Sequence, residues 1–340
     1  MRTIQTREHA LKQVVDPPTL VPCPVPSPTS FAQRSTTGIA SAVAVFEVVG
    51  DVDAACEAIG FQAPTVGRAA LRTVPGVDTL LAIRPSVHVL LLTPHGGVQV
   101  CRSLMRALLD AGIERTDADP CWPEAADEIE ARMLTALGRV RGERAITHLL
   151  SQPERWAAGA ARVPDDVAAE LSRLLHPPLV VATGPANVGK SSLANALAGR
   201  TVARVADRPG VTRDAVAVDL ELDGLLVRWL DAPGVDLAED EVLVEAQALA
   251  REAIAAADLI LWCQDAGSHA PDTEALRIAM RADLLDGPPP SWADVAISAT
   301  TGAGLEDFTR MVRQRLISDS ALAHPGSWAF WEATPETRPS

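Results

Sequence analysis

The segment of this chain whose residue types point most directly to chemistry spans residues 184–191. It reads GPANVGKS, which fits the phosphate-binding pattern G-x-x-x-x-G-K-[ST]. The segment follows an apolar stretch, residues 179–183, and precedes an expected helix that begins at Lys190. Glycines at such a turn let successive backbone N–H groups converge on a phosphate, and the helix N-terminus favours anions. The pattern therefore predicts a nucleotide-phosphate site, the alternative being a glycine turn that fits by chance.

Two side chains of this segment carry groups suited to a bound phosphate. Lys190 would neutralise phosphate oxygens as a point charge, and the only other lysine of the chain is Lys12. Ser191 would supply a hydroxyl ligand to Mg²⁺, which prefers oxygen ligands and keeps much of its shell as water and phosphate. The other nucleotide-binding positions predicted in this loop are Gly184, Pro185, Ala186, Asn187, Val188, Gly189 and Ser192.

Three further motifs follow at the spacing of a GTPase. A GVTRD run comes about twenty residues after the loop and places Thr212 where a switch threonine belongs. A DAPG run ends an apolar strand, which predicts that Asp231 lies on the Mg²⁺ side of the site and that Gly234 contacts the nucleotide. An SAT run matches the loop that packs on a guanine base in that superfamily, formed here by Ser298, Ala299 and Thr300.

Composition excludes several classes of protein. Lys and Arg total 30 against 44 Asp and Glu, a net charge of −14, so any RNA contact needs a local basic patch. Hydrophobic residues are 47%, yet no apolar run approaches the roughly 20 residues that span a bilayer. The first 16 residues carry charges with no apolar block behind them, which is not a secretory signal. We therefore expect a cytoplasmic chain with no membrane partner.

The pattern along the chain predicts an α/β fold. Strands and helices alternate after residue 177, which indicates a mostly parallel sheet flanked by helices, the architecture of a P-loop NTPase domain. A small α+β N-terminal domain and a short helical region precede it. The predicted boundaries are a Pro-rich disordered leader at 1–34, the α+β domain at 35–118, the helical region at 119–176, the GTPase domain at 177–318 and a tail at 319–340, which offers little to pack beyond three aromatic residues.

With these motifs in place, the sequence resembles the tRNA-modification GTPases called TrmE or MnmE. The resemblance covers most of residues 36–318 and is specific over GPANVGKSSLANALAGR, RPGVTRD and DAPG. Residues 40–50 and the PHGG run at 94–97 are similar to that family's folate-binding, dimer-forming N-terminal module. The resemblance implies a protein that binds GTP and GDP with Mg²⁺, hydrolyses GTP slowly with the help of K⁺, forms a homodimer through its N-terminal domain and is related to tRNA wobble-uridine modification.

The same resemblance assigns roles to single residues. Asn187 matches the loop asparagine with which such GTPases hold K⁺ between nucleotide phosphates, in place of an arginine finger. Ser191, Thr212 and Asp231 match the residues that hold Mg²⁺ in the family. The residues implied in catalysis are Lys190, Asn187, Thr212, Gly234, Glu241 and Glu245.

The guanine-reading motif N-K-x-D departs from the family pattern. It is present only as Met280, Arg281, Ala282 and Asp283, so the asparagine is missing and Asp283 is the expected base reader. Residues 273–285 also fit an ordinary amphipathic helix, which is the alternative at this position.

Two other departures concern catalysis. The family's water-positioning glutamate falls on Leu243, two positions from Glu241 and from Glu245, which favours slow hydrolysis. The family's second helical half and its C-terminal cysteine motif are not expected here. Two other functions therefore stay open, a non-hydrolysing nucleotide-gated scaffold and an Era-like ribosome-assembly GTPase that binds ribosomal RNA.

Overall fold

The computed structural model of this protein describes residues 28–34, 42–200, 217–232, 251–268 and 274–333. The chain forms two compact units, which divide between Thr135 and Ala136. Each unit has its own sheet.

The first unit combines six strands with helices. Its strands are β1 (Ser30–Gln33), β2 (Phe46–Val49), β3 (Arg68–Val74), β4 (Asp78–Ser86), β5 (Val89–Thr93) and β6 (Glu114–Arg115). Its helices are α1 (Val52–Ala58), α2 (Val98–Asp110) and α3 (Glu128–Leu137), which runs across the division between the units. The sheet order is β3-β4-β5-β2-β1-β6, antiparallel except between β1 and β6. This mixture of an antiparallel sheet and helices is the α+β pattern.

The core of the first unit joins this sheet to α1 and α2. The alternating apolar residues of the strands supply one face of it, and α2 contributes the stripe Cys101, Leu104 and Leu108. Asp51 starts α1, since its carboxylate accepts a hydrogen bond from the N–H of Ala54 at 3.0 Å.

Strand β1 corrects the expected extent of the disordered leader, which we placed at residues 1–34. Ser30 pairs with Val49 of β2, and Phe31 is 1% exposed in the core. The prolines, which lack a backbone donor, stop at Pro28, so the residues after it can enter a ladder. Its partners, β2 and β6, are separate segments of the chain, which is why no local pattern shows this pairing.

The second unit is larger. Its helices are α4 (Glu143–Leu150), α5 (Gln152–Ala157), α6 (Asp165–Ser172), α7 (Lys190–Arg200), α8 (Leu305–Leu316) and α9 (Asp319–Leu322). Its strands are β7 (Leu179–Thr183), β8 (Val218–Leu222), β9 (Leu225–Asp231), β10 (Leu259–Asp265), β11 (Leu276–Met280) and β12 (Val295–Ala296). Residues 251–255 are also helical, and two 3₁₀ turns lie at Ala282–Leu284 and Phe330–Glu332.

The sheet of the second unit confirms the predicted α/β class. Its order is β12-β11-β10-β7-β9-β8, and all neighbours are parallel except the hairpin of β8 and β9. Strand β7 is central, and Val180, Val181 and Ala182 are fully buried. Ligands of such sheets bind beyond the carboxyl ends of the strands, which is where the turn after β7 lies.

Strand β11 decides between the two predictions for residues 273–285. Residues 276–280 pair with β10 from Leu261↔Leu276 to Asp265↔Met280, and a 3₁₀ turn follows, so the helix alternative is wrong for the described part, residues 274–285. The short apolar run fits a buried strand and a helix segment equally well, and only pairing with β10 distinguishes them.

The end of the described chain packs more extensively than the predicted tail. We call residues 318–333 the C-terminal segment. Its backbone is hydrogen-bonded to α5 and to the loop after it. The N–H of Val163 donates to the carbonyl of Ser327 at 3.0 Å, and the N–H of Trp328 donates to Oε1 of Gln152 at 2.8 Å. Trp328 and Phe330 are both 2% exposed. Residues 318–333 are therefore part of the folded second unit.

Candidate nucleotide-binding site

The predicted phosphate loop forms the turn between β7 and α7. Gly184 has φ +133°, and a Cβ there would lie 2.0 Å from the carbonyl oxygen of Cys263. Gly189 has φ +108°, and a Cβ there would lie 3.3 Å from Cε of Met280. Both backbone angles favour glycine, and at position 184 the lack of space requires it as well. Asn187, between them, is exposed and has φ 60°, a conformation that asparagine tolerates better than most residues.

Lys190 begins α7 and holds its ammonium group against the loop. The Nζ atom donates to the carbonyl oxygens of Gly184 and Pro185, both at 3.1 Å, and Lys190 is 8% exposed. Both of these acceptors are neutral. A bound phosphate would add the negative charge that stabilises a buried ammonium group. The loop and the lysine therefore fit a phosphate ligand.

Ser191 and Asp231 meet at the side of the loop where Mg²⁺ is predicted. Asp231 ends β9, which pairs with β7 through Ala182↔Asp231, and its Oδ2 accepts a hydrogen bond from Oγ of Ser191 at 2.5 Å. Because the serine hydroxyl donates this hydrogen bond, its oxygen lone pairs stay available to a cation. A hydroxyl and a carboxylate side by side are the hard oxygen ligands that Mg²⁺ prefers. This donor set fits the predicted ion.

The base-reading motif lies directly after β11. Met280 is 1% exposed and packs towards the phosphate loop. Arg281 has φ 57° and ψ 42°, and its guanidinium group forms an ion pair with Asp265, the last residue of β10. Asp283 lies in the 3₁₀ turn and is exposed. An accessible carboxylate at this edge of the sheet can accept hydrogen bonds from a base.

The SAT loop lies beside this motif. Ile297 donates its N–H to the carbonyl of Ala279 at 2.8 Å and accepts the N–H of Ala282 at 3.0 Å. Ser298 is fully buried, and its Oγ accepts the N–H of Thr301 at 3.1 Å. Ser298 therefore fixes the turn that carries Ala299 and Thr300, and it is not itself accessible to a ligand.

The structure brings together the phosphate loop, Asp231 and the two base-side loops at the carboxyl edge of one sheet. Five residues named from the sequence lie outside the described residues: Thr212, Gly234, Glu241, Leu243 and Glu245. Their roles stay predictions.

Asp265 was not predicted from the sequence as a residue of this site. The signal available was its place at the end of an apolar strand, where ligand-side residues of a parallel sheet collect. Its partner Arg281 is 16 residues further along the chain, and only the pairing of β10 with β11 joins them.

Among the described residues there is no group of three or more His, Cys, Asp or Glu side chains placed to hold a metal ion. In the same part of the chain, no helix is both long and apolar enough to cross a membrane.

Comparison with known proteins agrees with this geometry. Residues 179–286 match the family described as 50S ribosome-binding GTPase. The tRNA modification GTPase MnmE of Acidiphilium cryptum (strain JF-5) is 41% identical over 194 residues, which cover 56% of this chain and 40% of that protein. MnmE of Rhodopseudomonas palustris is 34% identical over 212 residues, which cover 60% of this chain and 43% of that protein. The chain thus spans about two fifths of the length of these relatives.

Among solved structures, the cytosolic domain of the T. maritima FeoB iron transporter is 25% identical over 42% of this chain and 64% of its own, with a TM-score of 0.32. The sheet order, the phosphate loop and the family match assign a P-loop GTPase domain to residues 179–286. Over the aligned residues the chain is similar to the tRNA modification GTPase MnmE.

Proposed function

We propose that this protein binds GTP and GDP with Mg²⁺ and hydrolyses GTP slowly. The observation that carries the proposal is the phosphate loop, in which a buried Lys190 lies beside a Ser191–Asp231 pair. Backbone N–H groups at the start of α7 would hold the β-phosphate, and Lys190 would neutralise its oxygens. Ser191 and Asp231 would hold Mg²⁺, which offsets phosphate charge when it is bound.

Catalysis in this proposal depends on further residues. Asn187 lies exposed in the loop, where its side chain is free to hold K⁺ against the phosphates. Thr212 would complete the Mg²⁺ shell, and Gly234 would donate its N–H to the γ-phosphate. Either Glu241 or Glu245 would orient the attacking water in place of Leu243. A shift of two positions along a helix turns a side chain by about 200°, so we propose that hydrolysis is slow.

Base recognition would combine the loops after β11 and β12. The Asp283 carboxylate presents paired acceptors that suit the N1 and N2 donors of guanine. The loop of Ser298, Ala299 and Thr300 would pack on the base, since it is bonded to the turn that carries Asp283.

The proposed cellular role follows the relatives at 34–43% identity, which are tRNA modification GTPases. We propose a cytoplasmic protein that contacts tRNA and forms a homodimer through its first unit. The matched family description, 50S ribosome-binding GTPase, favours a second candidate, an assembly factor that contacts ribosomal RNA. Co-sedimentation with ribosomal subunits against binding of tRNA separates these two.

A non-hydrolysing nucleotide-gated scaffold is the other candidate. Met280 favours it, since a thioether replaces the polar side chain of the base motif. Single-turnover hydrolysis of bound GTP distinguishes it: the scaffold retains GTP over hours, whereas the proposed enzyme converts it to GDP.

The first testable prediction concerns Lys190. Lys190→Ala is expected to weaken GDP and GTP binding at least about 100-fold, because removing one partner of a buried charge pair costs roughly 3–5 kcal/mol. Titration with a fluorescent guanine nucleotide measures the affinity. Lys12→Ala, which changes the only other lysine, is the matched control and should bind as the wild type does. Equal affinity in Lys190→Ala would contradict the proposed function.

A further inference from the structure

The tip of the β8–β9 hairpin is bound to two helices by one carboxylate. Oδ2 of Asp223 accepts from Nη2 of Arg144 and from Nε of Arg313, both at 2.8 Å. Arg144 is the second residue of α4, and Arg313 lies on α8. A backbone hydrogen bond adds to this contact, from the N–H of Arg144 to the carbonyl of Gly224 at 3.1 Å. We call Arg144, Asp223 and Arg313 the tip cluster.

The tip cluster is more than a surface ion pair. The Arg313 side chain is only 4% exposed, and a buried guanidinium group needs such partners. Burial alone would raise the pKa of Asp223, but the hydrogen bonds from Arg313 and Arg144 outweigh it and hold that pKa below its usual value. The hairpin approaches the helix so closely that a Cβ on Gly142 would lie 3.0 Å from the carbonyl oxygen of Gly224.

The opposite end of the same hairpin belongs to the nucleotide site. Strand β9 runs seven residues from the tip to Asp231, the predicted Mg²⁺ residue, a span of about 20 Å. Strand β8 begins just after residues 201–216, which contain the predicted switch residue Thr212. The two strands are held in register through five pairs, from Val218↔Trp229 to Leu222↔Leu225. A shift of one strand therefore requires a shift of the other.

We propose that the tip cluster couples nucleotide binding to α4 and α8, with Asp223 as the positioning residue. This inference depends on the proposed function, since it needs a nucleotide at the phosphate loop. A ligand that restrains Asp231 restrains the hairpin, and the hairpin restrains the helices through Asp223. Coupling of this kind is reciprocal. If nucleotide binding stabilises the contacts of the tip cluster by some factor, then loss of those contacts weakens nucleotide binding by the same factor.

Two variants break the tip cluster in different ways. Asp223→Asn removes the charge and keeps a residue that tolerates the φ of 47° found here, so the turn with Gly224 is retained. Arg144→Gln removes the bridge to α4 from a side chain that is 35% exposed, so no buried charge is left behind. The matched control is Arg162→Ala, which removes the exposed Arg162–Glu332 ion pair of the same unit and leaves the hairpin untouched.

The experiment compares amide hydrogen exchange with and without Mg²⁺ and GDP, together with GDP affinity. In the wild type and in Arg162→Ala, GDP should slow exchange both at residues 184–192 and at residues 142–150, where the amide of Arg144 reports the tip directly. In both tip variants the slowing at 184–192 should persist, the slowing at 142–150 should be lost, and affinity should fall roughly fivefold or more.

Three results would contradict these expectations, and they differ in what they contradict. Slowing at 184–192 of the wild type without any change at 142–150 would overturn the coupling and leave the nucleotide site intact. Unchanged GDP affinity in both tip variants would overturn it as well. No slowing at 184–192 in the wild type would instead contradict the proposed function, and the coupling with it.

Discussion

Asp283 is the single residue on which base recognition depends most in this chain. Its carboxylate offers two acceptors to guanine donors, whereas an amide offers one donor and one acceptor and suits xanthine. We expect Asp283→Asn to lower GDP affinity by roughly tenfold or more and to raise affinity for xanthosine diphosphate. Titration with both nucleotides measures the change. Asp286→Asn, three residues further along, is the matched control. An unaltered guanine preference in Asp283→Asn would place base recognition elsewhere.

Asn187 carries the second prediction at the scale of a residue. If its side chain holds K⁺ beside the phosphates, GTP hydrolysis should be faster in KCl than in NaCl, because the cation offsets charge that develops during phosphoryl transfer. Asn187→Ala should lose the difference between the two salts while it keeps GDP affinity within a fewfold range. Equal wild-type rates in both salts would count against K⁺ assistance and favour an arginine from another molecule.

Residues of the phosphate loop could be predicted because their chemistry is local. Eight consecutive positions contain the glycines, the lysine and the serine, and a neighbouring apolar strand is enough to orient them. The Arg281–Asp265 pair and the tip cluster could not be predicted in this way. Their members come from separate elements, and strand register or helix packing decides which of many charged side chains meet.

At the scale of elements, β1 and β11 show what a local pattern leaves undecided. Each has only four or five residues, and its neighbours in the sheet come from elsewhere in the chain. A segment this short fits a helix or a strand equally well, so tertiary pairing decides its structure. In the helical region, Gly142, Gly159 and Pro164 mark breaks that the sequence predicts. The sequence predicts one helical stretch over residues 143–158, however, and the structure divides it into α4 and α5 at Ser151, where no glycine marks a break.

Helix α4 supplies a prediction on acid stability. His148 is 7% exposed, meets the ring of Trp328 edge-on, and its Nε2 has no hydrogen-bond partner among the described residues. Burial, with a smaller contribution from Arg155, lowers the pKa of His148 to about 4. The unfolded chain binds this proton near pH 6.5 and the folded chain does not, so stability is lost as the pH falls from about 6.5 towards 4.

The free energy of unfolding should fall by about 2 kcal/mol at pH 5, since each pKa unit corresponds to about 1.4 kcal/mol. His148→Leu removes the titrating group and should flatten the fall in melting temperature between pH 7 and pH 5. His324→Gln, which changes another histidine of the same unit, is the control and should keep the acid sensitivity of the wild type. A wild-type melting curve that does not change over this range would contradict the prediction.

At the scale of the whole molecule, two units with separate cores predict an uneven response to nucleotide. Ligand that binds only the folded state adds about 2.7 kcal/mol at one hundred times its dissociation constant. With Mg²⁺ and GDP at that level, hydrogen exchange should slow in β7 and β10 of the second unit. Strands β2 and β5 of the first unit should exchange at unchanged rates. Equal slowing in both sheets would show that the units unfold as one.

The close approach of Gly184 to the carbonyl oxygen of Cys263 should determine how much of a variant protein accumulates in a living cell. A side chain at position 184 pushes apart two central parallel strands before it meets any phosphate. Such a chain would unfold and be degraded. Substitutions at Lys190 leave the backbone path unchanged, so that chain should accumulate at full length. In a genetic screen, both kinds of variant would lack activity. The amount of protein in the cell would distinguish them, since it should fall for variants at Gly184 and stay normal for variants at Lys190.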